Sequence, residues 1–146
     1  MKIQINNKQN VFFCSDSHYG HSGIVAGTSE WDDKSGCRPF QTIDSHDNTL
    51  VNNINQTVGE NDILFCLGDW SFGSYKTGEN VSNIRNFREQ INCKNIHLIF
   101  GNHDQEIVNN KDNSTIPLFT QSLEQYAGRG LDVIWTLSWK FKGCFR

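Results

Sequence analysis

The sequence has no apolar segment that approaches the roughly 18 residues needed to span a membrane. Residues 1–7 read MKIQINN and lack the apolar core of a signal peptide, so the expected compartment is the cytoplasm. The net charge of −3 gives no broad basic surface, which argues against a protein that binds nucleic acid through charge alone. A nucleic-acid substrate held by metal ions is compatible with this charge.

Cysteine pairs with redox or metal-binding spacing are also absent. Cys14 and Cys66 lie within apolar runs, where a thiol behaves as a small hydrophobic group. Cytoplasmic proteins keep their thiols reduced, so we expect no disulfides. The cysteines are five in number and none forms a C-x-x-C pair: Cys14, Cys37, Cys66, Cys93 and Cys144.

The chain nevertheless has the length and the patterns of one folded domain. Its 146 residues suit a single domain, which we expect over residues 1–146. Three apolar runs of strand length are not amphipathic, which is typical of a buried parallel sheet. These runs are Val11–Cys14, Ile63–Leu67 and Ile96–Phe100.

Helical patterns separate the apolar runs. The first has its apolar residues on one face between Ile43 and Val58, with Thr42 or Asp44 as the predicted cap. The second places Val81, Ile84, Phe87 and Ile91 on one face. The alternation predicts an α/β domain with right-handed crossovers. We further expect a loop over residues 19–41, a helix over 105–126 that breaks at Pro117, and a fourth strand at 131–137.

Polar side chains with metal-binding chemistry follow each of the three runs. Asp16 and His18 follow the first run, Asp69 the second, and Asn102 and His103 the third. Ligands of parallel α/β sheets bind at the carboxyl ends of the strands, so these side chains should converge. A lone Asp after a strand is usually a turn or a helix cap, but three such elements in this order favour a metal site.

The residue types narrow the choice of metal. Carboxylate, imidazole and amide oxygen together suit Mn²⁺, Fe²⁺ or Zn²⁺ better than Mg²⁺. A carboxylate such as Asp69 can bridge two metal ions about 3.5–4 Å apart. Gly68 and Gly101 would relieve steric limits where the backbone turns beside the site.

The order D-x-H, G-D and G-N-H-D resembles the signature of the calcineurin-like metallophosphoesterases. Residues 15–21 (SDSHYGH) resemble the "SDTHFGH" of small bacterial and phage members. Residues 37–40 (CRPF) resemble their "NRPF", and residues 67–73 (LGDWSFG) resemble their "LGDFAFG". The resemblance implies a β-sandwich flanked by helices, and a metal-dependent hydrolase that acts on a phosphodiester or a small phosphomonoester. It does not extend to the Asp and Arg that protein phosphatases of the family use after G-D.

The resemblance also implies a role for each residue. Asp16 and His18 would bind a first metal ion, Asp69 would bridge to a second, and Asn102 would bind the second. A metal-bridging hydroxide would attack phosphorus. His103 would not be a ligand and would protonate the leaving oxygen or stabilise the phosphoryl charge.

Two further residues are candidates for the substrate pocket. His21 follows the first motif, and Arg38 carries the forked donors that suit phosphate. A surface position before the turn at Pro39 is the alternative for Arg38. The substrate class includes nucleotides.

The chain departs from the family pattern after residue 104. The family adds three histidines there, whereas the last histidine of this chain is His103. Residues 131–146 form an atypical tail that resembles nothing in the family, so we expect an incomplete second sheet and one or two metal ions. A shortened gene, a compact site completed by other groups or a partner chain, and a weakened module kept for binding or as a scaffold all fit this pattern.

Overall fold

Four parallel strands form the sheet around which the chain is organised. A computed structural model describes residues 5–72, 83–105, 107 and 121–123. The strands are β1 (Val11–Cys14), β2 (Ile63–Cys66), β3 (Asn95–Ile99) and β4 (Gln121–Leu123), and they lie in the order β1-β2-β3-β4. The first three strands follow the apolar runs of the sequence to within one residue at each end.

The register of the sheet separates its two faces. Cys14 lies beside Cys66, which lies beside Leu98, so these three side chains share one face. Leu64 and Ile96 belong to the same face, and both are buried in the main hydrophobic core. Phe13, Phe65 and His97 point to the other face because side chains alternate along a strand.

Two helices cover the first face of the sheet. The first, α1 (Ile43–Thr57), begins after Thr42, whose side chain accepts a hydrogen bond from the N–H of Ser45 at 3.1 Å. The second, α2 (Asn83–Gln90), contributes Ile84 and Phe87 to the core. Both helices thus confirm the predicted order β, α, β, α, β.

A stack of rings runs across the other face. The ring centroids of Phe13 and Phe65 lie 5.1 Å apart, and those of Phe65 and His97 lie 5.0 Å apart. His97 is only 4% exposed and is packed in the middle of β3. Within the described residues there is one sheet, so the second sheet of a sandwich is still a prediction.

The prediction of a helix over 105–126 is wrong at its end. Residues 121–123 form β4, which pairs with β3 from His97↔Gln121 to Ile99↔Leu123. Pairing at the sheet edge overrides the local helical pattern, as tertiary context often does. The residues around Pro117, the predicted strand at 131–137 and the tail at 131–146 lie outside the described residues.

The remaining predictions concern the loop, the thiols and the membrane. Residues 19–41 are largely irregular, with a short 3-10 helix (Ser22–Ile24) and one bridge between Val25 and Arg38. Cys14, Cys37, Cys66 and Cys93 are free thiols. In the described part of the chain, no helix is long and apolar enough to cross a membrane.

Candidate metal centre

The loops after β1 and β2 lie side by side at the carboxyl end of the sheet. The N–H of Asp16 donates to the carbonyl oxygen of Gly68 at 3.1 Å, and the N–H of His18 donates to that of Asp69 at 2.9 Å. Asp16, His18 and Asp69 have φ angles of 53°, 50° and 53°, and they are the described non-glycine residues with positive φ. Such backbone strain clusters at functional sites.

Two glycines allow the loops after β2 and β3 to touch. Gly68 has a φ of 101°, and a Cβ atom there would lie 2.9 Å from the Cα of Gly101. A Cβ atom at Gly101 would lie 2.7 Å from the backbone nitrogen of Asp69 and would also collide with its Oδ1 atom. The close backbone approach therefore requires glycine at both positions, in agreement with the sequence analysis.

The buried carboxylate of Asp104 fastens these two loops together. Its Oδ2 atom accepts the N–H groups of Gly101 at 2.7 Å and Asp69 at 2.8 Å. Its Oδ1 atom accepts the N–H of Trp70 at 2.9 Å. Burial raises the pKa of Asp104, and the three N–H donors oppose that change. Asp104 thus fixes the backbone on both sides of Asp69.

His18, Asp69 and His103 form a cluster that can hold a metal ion. One potential ligand atom from each residue lies within 4.8 Å of the other two. His18 Nε2 is 3.5 Å from Asp69 Oδ2, and the rings of His18 and His103 are 5.1 Å apart. Asp69 Oδ1 accepts the backbone N–H of His103 at 3.0 Å, which leaves Oδ2 directed at His18.

The protonation and packing of His18 suit a metal ligand. Burial lowers the pKa of His18, although the carboxylate of Asp69 opposes this, so the neutral imidazole that metals require is favoured. Its Nδ1 atom is buried and has no hydrogen-bond partner among the described residues. The imidazole of His18 and the carboxylate of Asp69 are donor types that suit Mn²⁺, Fe²⁺ or Zn²⁺.

His21 and Phe72 border this cluster. Their rings stack with centroids 3.7 Å apart, and the ring of His103 lies 5.5 Å from that of Phe72. Burial lowers the pKa of His21, and the proximity of the basic groups of His18, His103 and Arg38 acts in the same direction. His21 therefore lies beside the cluster, and its role in a substrate pocket is still a prediction.

Asp16 and Asn102 lie on the same loops, and both are exposed. The carboxylate of Asp16 is close enough to His18 and to Arg38 to favour the positive charge of each. The three-residue cluster does not include Asp16. The structure thus brings His18, Asp69 and His103 together, whereas Asp16 and Asn102 are exposed on the adjoining loops.

The guanidinium group of Arg38 forms hydrogen bonds with backbone carbonyl oxygens and with a histidine ring of the same chain. Its Nη2 atom donates to the carbonyl oxygen of Asp16, and its Nη1 atom donates to that of Ser17 at 2.8 Å. Nη1 also lies 2.6 Å from Nε2 of the buried His46. Burial lowers the pKa of Arg38 and the carboxylates of Asp16 and Asp47 oppose this, but an arginine keeps its charge at neutral pH.

Sequence reasoning missed the roles of Asp104, His46 and Asp47. Asp104 was visible as the last residue of G-N-H-D, yet its hydrogen-bond partners are backbone groups that a sequence pattern does not show. His46 lies in none of the recognised motifs, and it is 3% exposed and contacts Arg38 and Asp47.

Comparisons with known proteins identify the family of this chain. Residues 10–142 match the model of the family described as calcineurin-like phosphoesterase. An uncharacterized protein of Methanocaldococcus jannaschii is 28% identical over 97 residues, which cover 65% of this chain and 47% of the relative. The chain therefore spans about half the length of that curated relative.

A solved structure also resembles the chain. It is a protein of unknown function from Aquifex aeolicus, with a TM-score of 0.48 and 20% sequence identity. The match covers 79% of this chain and 52% of the Aquifex chain.

Proposed function

Because this chain belongs to the calcineurin-like phosphoesterase family, we propose that it is a metal-dependent phosphoesterase. The substrate that we propose is a phosphodiester or a small phosphomonoester, a class that includes nucleotides. The observation that carries the proposal is the cluster of His18, Asp69 and His103 at the strand ends. Family membership implies divalent metal ions, and the donor set of this cluster suits them.

The proposed ligands are Asp16, His18, Asp69 and Asn102, and Mn²⁺ is the proposed metal. A bound divalent ion would supply Lewis acidity toward the phosphoryl oxygens. Asp69 is 8% exposed, and the backbone N–H of His103 holds one of its oxygens, so its carboxylate is oriented before any ligand arrives. The four recognised ligands favour one tightly held ion per chain over two.

We assign the role of general acid to His103. His103 is exposed, with its ring 5.1 Å from that of His18, where it could reach the leaving oxygen of a substrate. As a general acid, the imidazole would donate its proton to that oxygen, a contribution typically worth about 10²–10⁴-fold in rate. His21, stacked on Phe72, would contact the substrate on the same side.

The proposal of a second sheet rests on the partial exposure of one face of the described sheet. Phe13 and Phe65 are only partly buried on the face opposite the helices. An incomplete second sheet packed on this face would form the sandwich within one domain over residues 1–146. Cross-linking of purified protein would show whether a partner chain covers this face instead.

Hydrolysis of a nitrophenyl phosphodiester with added Mn²⁺ tests the proposal. We expect slow turnover that requires the metal, because few imidazole ligands are available. His103→Ala should lower this turnover by about 10²–10⁴-fold while Mn²⁺ binding persists. A joint loss of metal and activity in His103→Ala would place His103 among the ligands. Mn²⁺ binding without any turnover would favour a binding or scaffold module.

A further inference from the structure

Arg38, His46 and Asp47 form a continuous chain of contacts beneath the loop that carries His18. Arg38 Nη1 lies 2.6 Å from His46 Nε2, and His46 Nδ1 lies 2.7 Å from Asp47 Oδ1. Asp47 in turn accepts the N–H of Gly20 through both carboxylate oxygens, at 3.0 and 3.2 Å. His46 and Asp47 are both buried, with exposures of 3% and 9%.

The two ends of this chain of contacts hold the same loop. Arg38 donates to the carbonyl oxygens of Asp16 and Ser17, at the start of the loop. Asp47 accepts from Gly20, at the end of the loop. The loop contains two non-glycine residues with left-handed backbone, whose φ angles are 53° at Asp16 and 50° at His18. Left-handed backbone costs of order 1–3 kcal/mol for each non-glycine residue, so the surroundings must enforce it.

The contacts also define the proton positions on His46. A guanidinium group has five donors and no acceptor, so Nε2 of His46 must accept the hydrogen bond from Arg38. The ring proton of a neutral imidazole then resides on Nδ1, from which it is donated to Asp47. A cationic His46 would place two donors face to face at 2.6 Å.

We propose that Arg38, His46 and Asp47 act as a positioning relay that holds the Asp16–Gly20 loop in its metal-binding conformation. Arg38 in this arrangement serves the loop and not the phosphate of a substrate. All three are positioning residues because they act through the backbone of the ligand-bearing loop. The metal-binding part of this inference rests on the proposed function, whereas the tautomer and the order of the loop do not.

The tautomer is tested first, on metal-free protein at pH 8. Long-range ¹H–¹⁵N spectra of histidine-labelled protein in EDTA should show the His46 proton on Nδ1 and an unprotonated Nε2. The spectrum of His46→Gln assigns the His46 signals by their disappearance. A proton on Nε2 would overturn the relay, whatever the protein does with metals.

Substitutions at His46 then separate the two links of the relay. The oxygen of Gln can reach the position of Nε2 and accept from Arg38, whereas the shorter Asn can replace only Nδ1. We expect His46→Asn to weaken Mn²⁺ binding by about 10–100-fold, the usual effect of lost support for a ligand, and His46→Gln to recover most of that loss. Equal Mn²⁺ affinities in wild type and His46→Asn would overturn the proposal.

Arg38→Lys tests the forked contact. One ammonium group cannot reproduce the planar fork that spans Asp16, Ser17 and His46, so Mn²⁺ affinity should fall by a similar 10–100-fold. Arg88→Lys is the matched control, because Arg88 is also partly buried and donates to a backbone carbonyl, that of Ile91 at 3.0 Å, near the end of α2. An Arg38→Lys variant that raises the KM for substrate but binds Mn²⁺ normally would return Arg38 to substrate binding.

Amide hydrogen exchange keeps the inference testable if the wild-type protein binds no Mn²⁺. The amides of His18 and Gly20 should exchange at least about tenfold faster in metal-free His46→Asn than in wild type, since local opening sets their protection. The amide of Val58, at the far end of α1, should be unaffected. Unchanged exchange at His18 and Gly20 would show that the relay does not order the loop. Failure of Mn²⁺ binding alone would count against the proposed function only.

Discussion

Replacing Asp104 by Asn should weaken both the fold and the metal centre. The carboxylate of Asp104 accepts three backbone N–H groups, two on Oδ2 and one on Oδ1. The oxygen of Asn can retain the two bonds to Asp69 and Gly101, but its amide group would then face the N–H of Trp70. Trp70 is completely buried, so water cannot replace the lost acceptor.

The magnitude follows from the number of contacts that each variant loses. One buried N–H without an acceptor costs about 1–3 kcal/mol, which is the expected loss for Asp104→Asn. Asp104→Ala removes all three acceptor contacts and should cost about 3–6 kcal/mol after relaxation, a large part of the stability of a small domain. Urea unfolding of the metal-free variants measures both values.

Asp62 provides a matched control at the opposite end of β2. One oxygen of Asp62 accepts the backbone and side-chain N–H groups of Asn10, at 2.8 and 3.3 Å, and the other accepts the N–H of Gly59 at 2.8 Å. Asp62→Asn should lose less stability, about 1 kcal/mol, because Asn10 and Gly59 are exposed and water can replace the lost acceptor. Only Asp104→Asn should also lose Mn²⁺ affinity, by about 10–100-fold. Equal affinities in the two variants would refute the assignment of Asp104 as the support of Asp69.

Two further changes test the sheet and the loops. His97 titrates with a pKa lowered by burial, so the unfolded chain takes up its proton first and stability is lost as the pH falls below about 6.5. The melting temperature of His97→Phe minus that of wild type should therefore be larger at pH 5.5 than at pH 8. The same difference at both pH values would contradict the effect of burial on His97. Gly101→Ala should lose about 1–3 kcal/mol of stability and also Mn²⁺ affinity, because its Cβ atom would collide with Asp69. Gly36→Ala, where no atom lies within 4 Å of the added carbon, should change neither unless the contact argument is wrong.

The strands and caps were predictable because their causes are local. An apolar run such as Val11–Cys14 indicates a strand, and Thr42 can cap a helix through its own hydroxyl. Residues 121–123 were assigned wrongly because their pairing with β3 is a contact with a distant part of the chain. Local propensity carries no information on such an edge.

The sequence predicts where the candidate site lies, but not which residues hold its loops in place. The convergence of His18 and Asp69 follows from their positions after neighbouring parallel strands. The left-handed backbone at Asp16, His18 and Asp69 could not be predicted from the sequence, since residues other than glycine rarely adopt it. The role of Arg38 depends on carbonyl oxygens of another loop, which no spacing of side chains can indicate.

The most direct test of the metal centre is a calorimetric titration of dialysed, metal-free protein with Mn²⁺, with wild type and Asp69→Asn measured side by side. Asp69 contributes a carboxylate oxygen to the cluster of His18 and His103. The account predicts about one tightly held Mn²⁺ per wild-type chain and an affinity at least 100-fold lower in Asp69→Asn, because a lost ligand should exceed the effect of lost support. Equal binding by the two proteins, or no binding by wild type, would contradict it.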